Sequence, residues 1–168
     1  HSKWPLKKAQ ELWNQIEPFA AYGFNKAHSA SYGRVAYQTA YMKANFPVEY
    51  MSAIMTAESG DVEKIAEIVH ECENMKIKVL PPNINESFKG FTCIDDNTIR
   101  FGLYTIKNFG SDIGDTIIDE RKKNGNFKNI TDFLDRIKHK NLNKKSMEAL
   151  IKTGAMDEFG NRGTLLSN

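Results

Sequence analysis

Residues 103 to 123 constrain the fold more than any other stretch. Leu103-Tyr104-Thr105-Ile106 forms a short apolar turn of helix, Lys107-Asn108-Phe109-Gly110 a tight corner, and a helical run then continues from about Ser111 to Lys123. Ile113, Ile117 and Ile118 fall on the inward side of that run. Asn108 and Gly110 are residue types that tolerate positive φ, so the corner can close without steric penalty. Gly125 is placed to end the second helix.

This layout is that of a helix-hairpin-helix unit. In such a unit the backbone N–H groups of the hairpin and of the next helix start face a phosphate. A related arrangement follows: Ile130 to Ile137 as a helix with Thr131 near its start, a basic polar turn over 138–143, and Ser146 to Lys152 as a second helix stopped by Gly154. The second turn lacks glycine, which makes it the weaker candidate. For both hairpins the residues alone also allow a plain helical hairpin buried in a core.

The other stretch with chemistry is Tyr22 to Ser31, which gathers Gly23, Asn25, Lys26, His28 and two serines ahead of a helical pattern. We expect that helix to begin near Ser29, capped by Ser29 or Ser31 and ending before Pro47. Lys26 and His28 then sit on the approach to a helix N-terminus, where the dipole and free N–H groups favour an anion. A solvated Lys26 and a His28 paired with a backbone group explain the same residues equally well.

Around these stretches the periodicity predicts helices. One spans 5–20, with Leu6, Leu12, Trp13 and Ile16 on a packing face, Pro5 in its first turn and Pro18 near its end. Another spans 47–58 with Val48, Met51, Ile54 and Met55 inward. A third runs from a cap at Asp61 to Met75 with Val62, Ile65, Ala66, Ile68, Val69 and Cys72 inward. Its opposite face carries Glu63, Glu67, Glu71 and Glu73 and should point away from nucleic acid. His70 and Cys72 do not share a helix face, so no metal site is expected there. Lys78 to Glu86, with Pro81-Pro82, reads as an extended crossing. A β-hairpin follows, with Phe88 to Ile94 and Thr98 to Gly102 joined by Asp95-Asp96-Asn97, whose carboxylates belong to the turn.

Charge adds a direction. Residues 1–99 hold 10 Lys+Arg against 12 Asp+Glu, and residues 100–168 hold 13 against 9. The basic excess therefore lies where the hairpins are, as a polyanion would require, although solvated surface gives the same pattern. At 40% hydrophobic residues the chain can bury a core, and no apolar run approaches a membrane span. Cys72 and Cys93 form neither a metal spacing nor a disulfide framework, so a reduced, cytoplasmic setting is expected. The chain starts without Met and its helical periodicity begins almost at once. We therefore expect a piece of a longer protein, with His1-Ser2 as a cloning remnant.

Several motifs together resemble one family. These are Phe19 to Ser29, Tyr37-Gln38-Thr39, Lys43-Ala44-Asn45-Phe46-Pro47, Leu80-Pro81-Pro82-Asn83-Ile84-Asn85, the hairpin into Phe101-Gly102-Leu103, Ile106 to Gly110, and Leu150 to Ala155. In this order they resemble the bacterial replicative DNA polymerase III alpha subunits, across essentially the whole chain. The resemblance implies a piece of the fingers domain with its following helix-hairpin-helix region. The fold expected is mainly α: a helical fingers subdomain with a small β-hairpin, then tandem helix-hairpin-helix units. The expected divisions are 1–86, 87–102 and 103–168.

The resemblance also implies roles. Lys26 and His28 would contact the triphosphate of an incoming dNTP, Tyr22 would lie near the nascent base pair, and Asn25 and Ser29 would shape the loop. Lys107, Asn108, Gly110, Lys144 and Lys145 would grip duplex DNA. Asn108 stands where the family often has glycine, which implies a less close backbone approach to phosphate. Phosphoryl transfer needs carboxylates that hold divalent metal, and the family's catalytic carboxylates, with their Mg2+, belong to a palm domain outside this chain. No catalytic residue and no cofactor is therefore expected within it, and the chain alone should not polymerise DNA. Partners would be primer-template DNA, dNTP, the remaining polymerase domains and replisome subunits such as the sliding clamp, with no membrane. The alternative is a free-standing helix-hairpin-helix DNA-binding module without catalysis.

Overall fold

The computed structural model describes residues 4–22 and 26–167, without the side chains of residues 19–22. Contacts divide the chain into two units, 1–45 and 46–168.

The first unit holds two helices, α1 (Leu6–Tyr22) and α2 (Lys26–Asn45). Pro5 starts α1, its carbonyl accepting from the N–H groups of Lys8 and Ala9. Pro18 lies inside the helix, about one turn before its last residue, Tyr22. The apolar stripe of α1 is not packed: Leu6 is 84% and Trp13 57% exposed. Tyr32, Val35, Tyr37 and Tyr41 of α2 are exposed too, and none of its residues is buried. The expected packing faces exist as sequence patterns, but nothing in this unit covers them among the described residues.

The second unit has two cores. The first lies between α3 (Pro47–Ala57), α4 (Val62–Asn74) and a small sheet of β1 (Lys78–Leu80), β2 (Thr92–Asp95) and β3 (Thr98–Arg100). Pro47 opens α3, as its preset φ favours. The Asp61 side chain caps α4 by accepting from the N–H groups of Glu63 and Lys64. Ile65 and Cys72 of α4 are buried, with Ile68 and Val69 packed beside them. Val62 and Ala66, expected inward, are exposed; Val62 lies in the first turn, where the helix overhangs the core.

The expected β2–β3 hairpin is present, antiparallel with a bulge near Cys93 and Asp95. Asp95 accepts from the Asn97 N–H at 2.9 Å. That bond, followed by one from Thr98, holds its carboxyl below the ordinary range. The extended crossing also contributes a strand, since β1 pairs in parallel with β3.

The second core belongs to the helical hairpins. A single 3-10 turn, Leu103–Thr105, leads into α5 (Ser111–Asn124); α6 (Ile130–Arg136), α7 (Lys144–Lys152) and the short α8 (Arg162–Ser167) follow. Leu103, Ile113, Ile117, Phe133, Ile137 and Leu150 are fully buried together, and Ile84 from the crossing joins them. The 81–87 segment is stitched to this core by hydrogen bonds. Ile84 N–H donates to the Ala155 carbonyl at 2.8 Å. The Asn85 amide both accepts from Phe127 N–H at 2.8 Å and donates to Phe127 carbonyl at 3.0 Å.

Arg121, only 7% exposed, donates to the carbonyls of Ile84 at 2.9 Å and Ser87 at 2.6 Å. Arg136 does a parallel job on the surface, reaching Glu120, Asp132 and the carbonyls of Gly125 and Asn126 while lying over the Phe127 ring.

Gly102 marks a forced close approach. A Cβ there would collide with the carbonyls of Lys89 and Gly90, in the bend ahead of β2 where Phe88 and Lys89 accept from the N–H groups of Leu103 and Tyr104. Two substitutions test this framework in chemical denaturation. Arg121→Ala strands two buried carbonyls and should cost about 3 kcal/mol. Gly102→Ala should also destabilise markedly, whereas Gly60→Ala, with open space around it, should not.

Candidate nucleic-acid interface

The first hairpin owes its geometry to one residue. Asn108 takes φ of 65°, the left-handed conformation that asparagine tolerates better than most side chains. Gly110 was expected to share this role. It sits instead at φ −76°, as the N-cap of α5, in a conformation open to any residue. A Cβ at Gly110 would meet nothing within 4 Å. The fold therefore does not need glycine here, and what glycine provides is bare backbone.

That backbone is unusually free. Phe109 N–H bonds back to Ile106 and Gly114 N–H to Gly110. Among the described residues, the N–H groups of Lys107, Asn108, Gly110, Ser111 and Asp112 donate to no acceptor, and all five residues are exposed. No side chain caps α5. The result is a row of unpartnered donors at a helix start, while Phe109 and Ile113 anchor the hairpin in the core from below.

The second hairpin is built differently. Its helix begins at Lys144, two residues earlier than expected, because Asn143 and Ser146 form a capping box. Asn143 accepts from Ser146 N–H at 3.1 Å and the Ser146 hydroxyl accepts from Asn143 N–H at 2.9 Å. Within the turn, Asn141 N–H donates to His139 Nδ1 and Leu142 N–H to the His139 carbonyl. The preceding helix α6 is capped by Asn129, with Thr131 in its first turn as expected. Side chains thus consume much of the donor capacity that the first hairpin leaves open. Lys144 and Lys145 stand in the first turn of α7, where the helix dipole opposes positive charge.

The structure brings some of the expected DNA-binding residues together. Lys107 and Asn108 line a shallow cleft of about 380 Å³ together with Lys145, Glu148, Lys152 and Thr153. Gly110 adjoins it in sequence at the helix start. Lys144 points elsewhere and lines an apolar groove of about 530 Å³ with Ile130, Leu134, Met147 and Leu166. Lys152 was not singled out from the sequence. The signal was available: Lys145, Glu148 and Lys152 repeat at i, i+3 and i+7, which puts them on one helix face. Lys152 pairs with Glu148 at 2.8 Å, and this bond holds the Glu148 carboxyl below its ordinary range.

The other candidate site lies in the first unit. Asn25 and the side chain of Tyr22 fall outside the described residues. Lys26, His28 and Ser29 are exposed and already helical, so α2 reaches further toward the chain start than the expected start near Ser29. The serines consequently do not cap it. Ser31 is an interior residue whose hydroxyl donates to the Ala27 carbonyl at 2.9 Å. His28 packs its ring on Tyr32, centroids 4.2 Å apart. Lys26 and His28 thus lie within the first turn of the helix rather than before it. Among the described residues no three His, Cys, Asp or Glu side chains group as a metal site.

Residues 76–165 match the model of the helix-hairpin-helix motif family. The chain belongs to the helix-hairpin-helix family. Its matched region starts ahead of the hairpins, and the bonds from Ile84 and Asn85 to Ala155 and Phe127 show why that segment goes with them.

Beyond this region the whole chain is similar to DNA polymerase III alpha subunits. It is 44% identical over 164 residues to that of Deinococcus radiodurans, covering 98% of this chain and 12% of the relative. Identity is 42% over 164 residues with the Thermus aquaticus subunit, covering 98% and 13%. With the Borreliella burgdorferi subunit it is 44% over 161 residues, covering 95% and 14%. The helix-hairpin-helix chain therefore spans about an eighth of the length of these relatives. No described helix is long and apolar enough to cross a membrane.

Asn108 gives a direct check of the hairpin geometry. Asn108→Gly should leave stability nearly unchanged, and Asn108→Val should cost about 1–2 kcal/mol through its left-handed backbone, read from thermal or denaturant unfolding.

Proposed function

We propose that this chain is the part of a replicative DNA polymerase that closes over the incoming nucleotide and holds the duplex behind it. The observation that carries the duplex half is the row of five exposed, unpartnered N–H groups at 107, 108 and 110–112. Such a row suits a backbone phosphate and carries no base information, so binding would be independent of sequence. Lys107 and Lys145 flank it as point charges, and Lys144 adds charge at the start of α7. Asp112 in the first turn of α5 complements the helix dipole when no phosphate is present.

The nucleotide half rests on similarity across 98% of the chain to DNA polymerase III alpha subunits. In this reading Lys26 and His28, one turn of helix with no acidic neighbour in it, meet the triphosphate. Ser29 and Asn25 shape the approach and Tyr22 lies near the base pair. Primer-template DNA and dNTP are the ligands, and the other polymerase domains supply the carboxylates and Mg2+. The exposed apolar stripes of α1 and α2 fit a segment that works against other parts of a larger protein. The second reading, a free-standing DNA-binding module, uses the same hairpins and gives no role to Lys26 and His28.

One measurement tests the hairpin that both readings share, and a second separates them. Gly110→Ala should leave unfolding unchanged, since the added methyl meets nothing, yet weaken duplex binding about tenfold at low salt by crowding the free N–H groups. Undiminished binding would remove the hairpin from the interface. In the intact polymerase, Lys26→Ala and His28→Ala should raise the KM for dNTP about tenfold or more and spare duplex affinity. Changes confined to duplex affinity would favour the free-standing module. Template-dependent extension by the 168-residue chain alone would contradict the assignment of catalysis to other domains.

A further inference from the structure

The Glu148–Lys152 ion pair stands beside the row of free donors, on the edge of the cleft that also holds Lys107, Asn108 and Lys145. Three lysines and one carboxylate share this cleft. Lys107 and Lys145 make no ion pair among the described residues. Lys152 alone has its charge engaged, by Glu148 one turn earlier in α7 at 2.8 Å.

Both partners are substantially accessible, with side chains 61% and 36% exposed. An exposed pair of this kind contributes little to stability. A phosphate entering the cleft would meet two unengaged ammonium groups, a third held by a carboxylate, and that carboxylate as a like charge. The third lysine can turn to the phosphate only by leaving Glu148.

Resting on the reading of the hairpins as a duplex grip, we propose that Lys152 is an additional backbone-phosphate contact and that Glu148 is its exchangeable counter-ion. In free protein Glu148 occupies Lys152, and in the complex a duplex phosphate replaces it. The cleft thus joins the first hairpin to the helix of the second hairpin in one phosphate seat. Glu148 sets how tightly that seat closes, which keeps sequence-independent binding weaker than its lysine count would give.

The two members of the pair then act in opposite directions on binding, and the salt slope separates a direct phosphate contact at Lys152 from a general charge effect. The test measures duplex affinity of the 168-residue chain by fluorescence anisotropy across 50–200 mM NaCl. Lys152→Ala and Lys152→Gln should weaken binding and lower the slope of log K against log salt by about 0.9, the value for one lost phosphate contact. Glu148→Gln should strengthen binding about threefold by releasing Lys152 and removing a like charge. Lys64→Ala, a charge change of equal size at a lysine paired with Glu58 in the other core's helix, should leave the slope unaltered.

Weaker or unchanged binding by Glu148→Gln overturns the exchange. An unaltered slope in both Lys152 variants overturns the contact, and the duplex grip itself survives if Gly110→Ala still weakens binding. If the unaltered chain binds no duplex at low salt, the grip and the exchange fall together.

Discussion

The helical hairpins hang on one buried cation. Arg121 projects from α5 into the interior and donates to the carbonyls of Ile84 and Ser87. Burial pushes its guanidinium below the usual arginine range, and the Phe88 ring lies 5.1 Å from it. These bonds fix the crossing segment against the helix that carries the first hairpin at its other end. The Asn85 amide completes the arrangement by mimicking a strand partner for Phe127. Side chains thus hold together what neither sheet nor helix ladder reaches, and the free donors at 107, 108 and 110–112 stand above a packed core.

On that core the two hairpins differ in how their helix starts are satisfied. The first spends no side chain on its helix start, because Gly110 has none to spend. The second closes its own N–H groups with Asn143 and Ser146. One hairpin is therefore stable only through the core beneath it and is open above. The other is stabilised locally and contributes charge from Lys145 and Lys152. Binding capacity and local stability trade against each other at a helix N-terminus, since a donor given to a cap is withheld from a ligand.

Much of this was legible in the sequence where the cause is local. Asp61 as a cap, Pro47 as a helix start, Gly125 and Gly154 as stops and Asp95-Asp96-Asn97 as a turn each act through near neighbours, and each appears in the fold. Asn108 was readable for the same reason. What was not readable depends on distant partners. β1 is three residues long and is a strand only because β3 lies beside it. Val62 fits the apolar period but overhangs the core. The capping box starts α7 at Lys144, two residues ahead of the expected Ser146, through two hydrogen bonds. Of the residues proposed to meet the nucleotide, Lys26, His28 and Ser29 were legible as residue types near a helix start, but not as members of its first turn. Lys152 escaped notice because the cleft it lines forms only where Lys107 and Asn108 of the other hairpin come beside it.

The account stands on the claim that the first hairpin's bare backbone receives the phosphate. Backbone amide chemical shifts of the chain, followed by NMR while duplex DNA is added at low salt, test it most directly. The account predicts that the largest amide shifts fall at Asn108 and Gly110 to Asp112, with smaller ones at Asn141 to Asn143, where the protein already satisfies the donors. Shifts concentrated on the second turn, or on the acidic face of α4 with 107–112 unmoved, would contradict it.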